Sequence, residues 1–299
     1  MTAFPDRKPD NDCDTRPGSG GRRGAQTGVV SGRLAGAKPE IMRLDAGDFR
    51  FALAMGWRDF CAAPIWGIFF ALIYVLGGWL VFWALTAQGQ LWWTLPAAAG
   101  FPILGPFIAC GLYEVSRRLE RGAPLDRATV LGAIFAQKDG QIPSMAALIV
   151  FYFLFWNFFA HMTFALFMGN VTMTNVSQSL AVFMTPAGLG LLVFGTLSGA
   201  LIAALLFSLT VVSLPMLLER DIDYVTAMLT SLSLVRENML LMLAWGAFIA
   251  ALLFLAMLPG FLGLFVVLPV LGHASWHLYR RAVAWPDAPP DASHQTQSA

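Results

Sequence analysis

Predominantly apolar residues fill six stretches of this chain: Pro64 to Leu85, Trp93 to Val115, Pro143 to Phe167, Gly188 to Leu217, Met239 to Met257 and Leu262 to Tyr279. Each approaches or exceeds the roughly 20 helical residues that cross ~30 Å of hydrocarbon. The fourth is overlong, so it must tilt, kink or project beyond the bilayer. Shorter segments with a helical period precede them in pairs. In "DFRFALAMGWRDF" Phe49, Leu53, Trp57 and Phe60 share one face while Arg50 and Arg58 lie on another. In "LDRATVLGAIFAQK" Val130 and Ile134 lie beside Leu131 and Phe135, with Asp126 placed to cap the start. In "DIDYVTAMLTSLSLVREN" Ile222, Val225, Leu229 and Leu232 oppose Asp223, Thr226, Thr230 and Ser233. Such faces suit helices lying flat at a membrane surface. The pattern predicts an all-α polytopic membrane protein: six transmembrane helices as three parallel helical hairpins, each preceded by an amphipathic interfacial helix.

The charges sharpen this into a topology. Lys and Arg number 10 before the first stretch, 5 between the second and third, 2 between the fourth and fifth and 2 after the sixth, which accounts for all 19. The loops "TAQGQLW", "MGNVTMTNVSQSLAVFMTPA" and "LPGF" hold none, and every Asp and Glu lies on the basic side or at its boundary. The positive-inside rule then puts both termini in the cytoplasm of a multi-pass protein of the bacterial cytoplasmic (inner) membrane. Composition agrees, with 57% hydrophobic and only 12% charged residues. Residues 1–43 and 284–299 are polar, lack an apolar period and are expected to be disordered cytoplasmic tails around a membrane domain at 44–283. No signal peptide is evident, and Met42 offers an alternative start. Cys13, Cys61 and Cys110 form no C-x-x-C pair and map to the reducing side, so no disulfide is expected.

The first and third units are alike. "WRDFCAAPIWGIFFAL" sets beside "VRENMLLMLAWGAFIAAL", pairing Arg58 with Arg236, Asp59 with Glu237 and Trp66-Gly67 with Trp245-Gly246. "GPFIACGLYEVSRR" and "LPVLGHASWHLYRR" align from Pro106 and Pro269, so Tyr113 falls on Trp276. The pieces "GWRDF", "GPFIACGLYEVSRRLERG", "TSLSLVREN" and "PVLGHASWHLYRRAV" resemble the prokaryotic family of predicted integral membrane proteins catalogued as domain of unknown function 2189, over roughly residues 45 to 283. The resemblance implies a membrane domain and carries over neither an activity nor catalytic residues.

Four side chains could carry chemistry together. His273 and His277 have the i, i+4 spacing that puts two imidazoles on one side of a helix. In the repeat, Cys110 takes the place of His273 and Glu114 that of His277. If the second and sixth stretches are neighbours, Cys110, Glu114, His273 and His277 could form a metal site. The alternative is that the histidines mark the membrane boundary beside Trp276, Tyr279 and Arg280. His161 and His273 lie at different depths by helical rise, which disfavours one haem between them. Asn157 and His161 form a second i, i+4 pair, read as a polar interhelical pair. "GTLSG", Gly195 to Gly199, has small-xxx-small spacing for helix contact.

No nucleophile with a nearby base, phosphate loop or nucleotide motif is present, so nothing points to hydrolase or kinase chemistry, and topology explains the basic residues without nucleic acid. No cofactor is required by the sequence. The expected function is non-enzymatic: transport of a small neutral or amphipathic solute, or a scaffold for a membrane complex. The bilayer and a homo-oligomer or membrane-complex partner are its expected neighbours. The alternative is a metal- or haem-associated redox or assembly protein using the Cys110, Glu114, His273 and His277 set.

Overall fold

In the computed structural model the described residues are 39–87, 94–136, 140–169 and 183–286. The uncharged loops around 88–93 and 170–182, and the tails to 38 and from 287, lie outside them. Strand β1 (Glu40–Ile41) leads into α1 (Ala46–Ala62), α2 (Pro64–Ala87), α3 (Thr94–Glu120), α4 (Arg127–Ala136), α5 (Ile142–Met168), α6 (Pro186–Thr210), α7 (Ser213–Glu219), α8 (Tyr224–Glu237), α9 (Met239–Met257), α10 (Leu264–Ala282) and β2 (Val283–Ala284). Among the described residues the regular structure is helical apart from that one ladder. A helix stands at each of the six apolar stretches, and α1, α4 and α8 form where the amphipathic segments are.

Among the residues whose side chains are described, four helical segments are long and apolar enough to cross a membrane: Pro64–Trp83, Ile142–Met168, Pro186–Glu219 and Met239–Met257. α10 is not among these four: its later turns carry "GHASWHLYRRA", which lowers its mean apolarity. The overlong fourth stretch is divided. It breaks at 211–212 between α6 and α7, where Pro215 supplies no N–H and the hydroxyls of Ser208, Thr210 and Ser213 bond carbonyls one turn back. Ser231 on α8 accepts the freed Val212 N–H at 3.4 Å.

α1 is held by an Asp45 capping box, in which Asp45 accepts from Gly47 and Asp48 N–H while Asp48 accepts from Asp45 N–H. Asp126 and Asp223 cap the starts of α4 and α8 in the same way, accepting from Thr129 and Thr226 N–H. The face that α1 buries differs from the apolar face expected to lie in the membrane surface. Asp48, Ala52, Gly56 and Asp59 are the buried residues, while Trp57 is 53% exposed. This stripe of acids and small residues lies against α10, the helix with which α1 makes its most extensive contact. The small residues let the backbones approach: a Cβ on Gly56 would sit 2.6 Å from the Val270 carbonyl oxygen.

α10 is the central element, since it also packs on α2, α3 and α9. Gly272 faces Leu112 of α3 too closely to admit a side chain, and the rings of Tyr113 and Trp276, matched by the repeat, lie 6.4 Å apart. Gly78 of α2 receives the Phe261 ring and Gly190 receives Phe167. Within "GTLSG", Gly199 lies against Trp156 of α5, but among the described residues nothing comes within 4 Å of a Cβ placed on Gly195.

The two ends of the described chain meet. Glu40 and Ile41 pair antiparallel with Ala284 and Val283. Buried Asn238, at the α8–α9 junction, accepts Leu44 N–H at 2.8 Å and donates to the Met42 and Leu234 carbonyls at 3.2 Å each. Asn238→Ala would leave these groups unsatisfied. We expect a loss of about 1–3 kcal/mol in a denaturant titration of the detergent-solubilised protein, with faster proteolysis around residues 40–44.

Candidate functional site: a buried polar cluster on one face

The outer turns of the helices are apolar, whereas the ends carrying charges converge. Buried side chains from α1, α3 and α10 meet there: Asp59, Ser116, His273 and His277 are each at most 3% exposed. Asp59 lies in the last turn of α1, on the stripe that Ala52 and Gly56 press against α10. Ser116 and Glu120 are one turn apart near the end of α3. His273 and His277 share one face of α10, as their spacing requires.

His277 is held between two acids. Its Nε2 is 2.7 Å from Asp59 Oδ2 and its Nδ1 is 3.3 Å from Glu120 Oε1. A neutral imidazole donates from one nitrogen only, so this arrangement is fully satisfied by the imidazolium. Burial works to raise Asp59. The hydrogen bond and charge of His277, with smaller contributions from Ser116 and His273, outweigh it and hold the carboxyl below its ordinary 3.8.

His273 has a different environment. Its Nδ1 is 2.8 Å from the Ser116 hydroxyl, while its Nε2 is buried without a hydrogen-bond partner among the described residues. With the proton on Nδ1 donated to Ser116, Nε2 is a bare acceptor. That is a smaller cost than an orphaned N–H of a charged ring.

The four candidate metal ligands share this region without converging. α3 and α10 are neighbours, as the site required. Glu114, however, turns along its own helix to Arg117 at 3.0 Å and Arg118 at 2.8 Å. Cys110 is fully buried in the main apolar core. His273 faces Ser116, and His277 faces Asp59 and Glu120. Among the described residues no group of three or more His, Cys, Asp or Glu side chains could hold a metal ion. Both histidine rings are enclosed by protein. Asn157 and His161 bond α5 itself: the Asn157 amide donates to the Phe153 carbonyl at 2.9 Å and the His161 ring meets the Asn157 carbonyl at 2.7 Å. Both bonds run within α5.

Around the cluster lies a second layer of ions. Glu219, at the end of α7, accepts from the Tyr279 hydroxyl at 2.6 Å and from Arg280 at 3.0 Å. Trp285 donates to that hydroxyl at 3.1 Å. Arg281 pairs with Asp48 of α1. The ends of α3, α7 and α10 and both ends of α1 are thereby tied into one face. Sequence reasoning missed Asp59, Ser116, Glu120 and Glu219 as partners. The available signal was Asp59 itself, an acid set among small residues at i, i+3 and i+4 spacing.

A family model described as "Predicted integral membrane protein (DUF2189)" matches residues 94–219. The matched region contains α3 to α7, with Ser116, Glu120 and Glu219, and is narrower than the resemblance over 45 to 283. No curated protein matches the chain, and no solved structure does.

Proposed function

We propose, for a chain whose residues 94–219 mark it as a predicted integral membrane protein of unknown function, that it is a non-enzymatic scaffold of the bacterial cytoplasmic membrane. It crosses six times with both termini cytoplasmic, and its apolar faces receive a second copy or another membrane subunit. The clustering of charged helix ends on one face supports the topology, because Lys and Arg favour the cytoplasmic side.

The observation that carries the scaffold reading is the contrast between that tied face and the spans. Only 17% of the α5 and α9 spans and 28% of the α2 span are buried within the chain. On α5, Phe151, Phe155, Phe158, Met162 and Leu166 form one exposed stripe at helical spacing; on α6, Leu189, Val193, Leu197, Leu201 and Leu205 form another. Lipid satisfies such stripes, and so does a partner helix.

Transport of a small amphipathic solute is the second reading. A cleft of about 520 Å³ between α1, α2 and α4 favours it, with apolar walls from Pro64, Ile65, Trp66 and Phe69 and a single charge at Arg127. Single-molecule counting of full-length protein in lipid nanodiscs separates the two. We expect a defined oligomer that dissociates when Leu197 and Leu201 are replaced by bulky Trp. A monomer at all protein-to-disc ratios, with solute flux in proteoliposomes, would replace scaffold by transport. An absorption band or stoichiometric metal in the purified protein would instead restore the redox reading.

A further inference from the structure

Beside the buried cluster, a cleft of about 380 Å³ opens between α1, the end of α3, α7 and α10. Four guanidinium groups line it: Arg58, Arg121, Arg280 and Arg281. Two carboxylates line it too, but their oxygens are committed. Glu219 uses one oxygen for Tyr279 and the other for Arg280. Glu120 turns one towards His277 and the other towards Arg280 at 3.8 Å.

Arg280 is spent on Glu219 and Glu120, but the other three arginines are committed far less. Each guanidinium offers five N–H donors. Arg58 has one contact at 3.4 Å, to Asp59, and its side chain is 58% exposed. Arg281 uses Nε on Asp48 and lies over the Phe51 ring. Arg121 is exposed and makes no ion pair with the described residues. The cleft therefore presents a surplus of donors from three elements, α1, α10 and the residue that follows α3. Phe51, Met55 and Trp276 give it an apolar wall.

We infer that this cleft binds the phosphate oxyanion of an organic phosphate ester. A phosphate has several acceptor oxygens arranged in three dimensions, which forked guanidinium groups on separate elements can share. The apolar wall receives the esterified carbon chain. Two sources supply this chemistry: the headgroup of an anionic phospholipid in the adjacent leaflet, or a soluble phosphate ester.

The test uses delipidated full-length protein and three probes: phosphatidylglycerol, diacylglycerol with the same acyl chains, and glycerol phosphate. Native mass spectrometry reads lipid retention and equilibrium dialysis reads the soluble ester. The wild type should retain phosphatidylglycerol saturably and in preference to diacylglycerol. Joint replacement Arg58→Gln and Arg121→Gln should weaken binding by at least about tenfold. Arg50→Gln with Arg236→Gln removes the same charge from exposed positions elsewhere and should leave binding unchanged. Since Arg58 and Arg121 are exposed, an unaltered helical spectrum and unfolding midpoint should accompany the loss. Glycerol phosphate binding with the same Arg58 and Arg121 dependence, without lipid retention, assigns the site to a soluble ester. Equal retention of diacylglycerol, equal binding by both double variants, or no binding of either phosphate probe overturns the inference.

Discussion

Replacing Asp59 with alanine should destabilise the protein by about 3–5 kcal/mol, because it leaves the His277 ring charge buried beside only one acid. His277 Nε2, 2.7 Å from the missing carboxylate, loses its partner, and the Ser116 hydroxyl keeps only His273. Asp59→Asn keeps an acceptor for His277 but removes the charge, so its loss should be intermediate. The pH dependence has a definite sign. Asp59 titrates below 3.8 in the folded protein, so its contribution is complete above the unfolded value and is lost as pH falls through the lowered folded one. Unfolding of the wild type in mixed micelles should therefore weaken through that acid window. Asp59→Ala should show a flatter profile there; equal slopes would remove Asp59 from the role assigned to it.

The second large effect belongs to a residue with no side chain. Gly56→Val should cost about 1–3 kcal/mol or more and detach the end of α1, since its Cβ would meet main-chain atoms of α10 that cannot rotate away. The nearest are the Val270 carbonyl oxygen at 2.6 Å and the Ala274 nitrogen at 2.7 Å. Gly195→Ala is the matched control: nothing lies within 4 Å, so it should be neutral or stabilise α6 by up to about 1 kcal/mol. Thermal unfolding of the two variants, with proteolysis of the α1 segment, checks the contrast. A Gly56 variant as stable as wild type would mean that α1 and α10 do not pack at the described distance.

The helices themselves were legible because a long apolar run leaves the backbone few alternatives in a membrane. α9 matches the expected Met239 to Met257 in full, and α5 extends the expected span by one residue at each end. The contacts between helices were less legible, for physical reasons that particular residues show. The repeat aligned Tyr113 with Trp276, and the two rings meet across the α3–α10 contact. It also set Glu114 opposite His277. There the local chain decided otherwise, since Arg117 and Arg118 stand one turn away and capture the Glu114 carboxylate. His277 instead finds Asp59, 218 positions away in sequence, a pairing that no periodicity encodes. Likewise the hydrophobic pattern of α1 drew attention to Phe49 and Trp57. The face that decides its position is made of Ala52, Gly56 and two acids, residues that carry almost no hydrophobic signal.

The ladder between residues 40–41 and 283–284 has a consequence in parity. Two strands joined by hydrogen bonds must lie on the same side of the bilayer, so the chain between them crosses an even number of times. Five crossings are forbidden, while four and six are both allowed. If the four strongly apolar segments all cross, α3 and α10 are linked: either both cross or neither does.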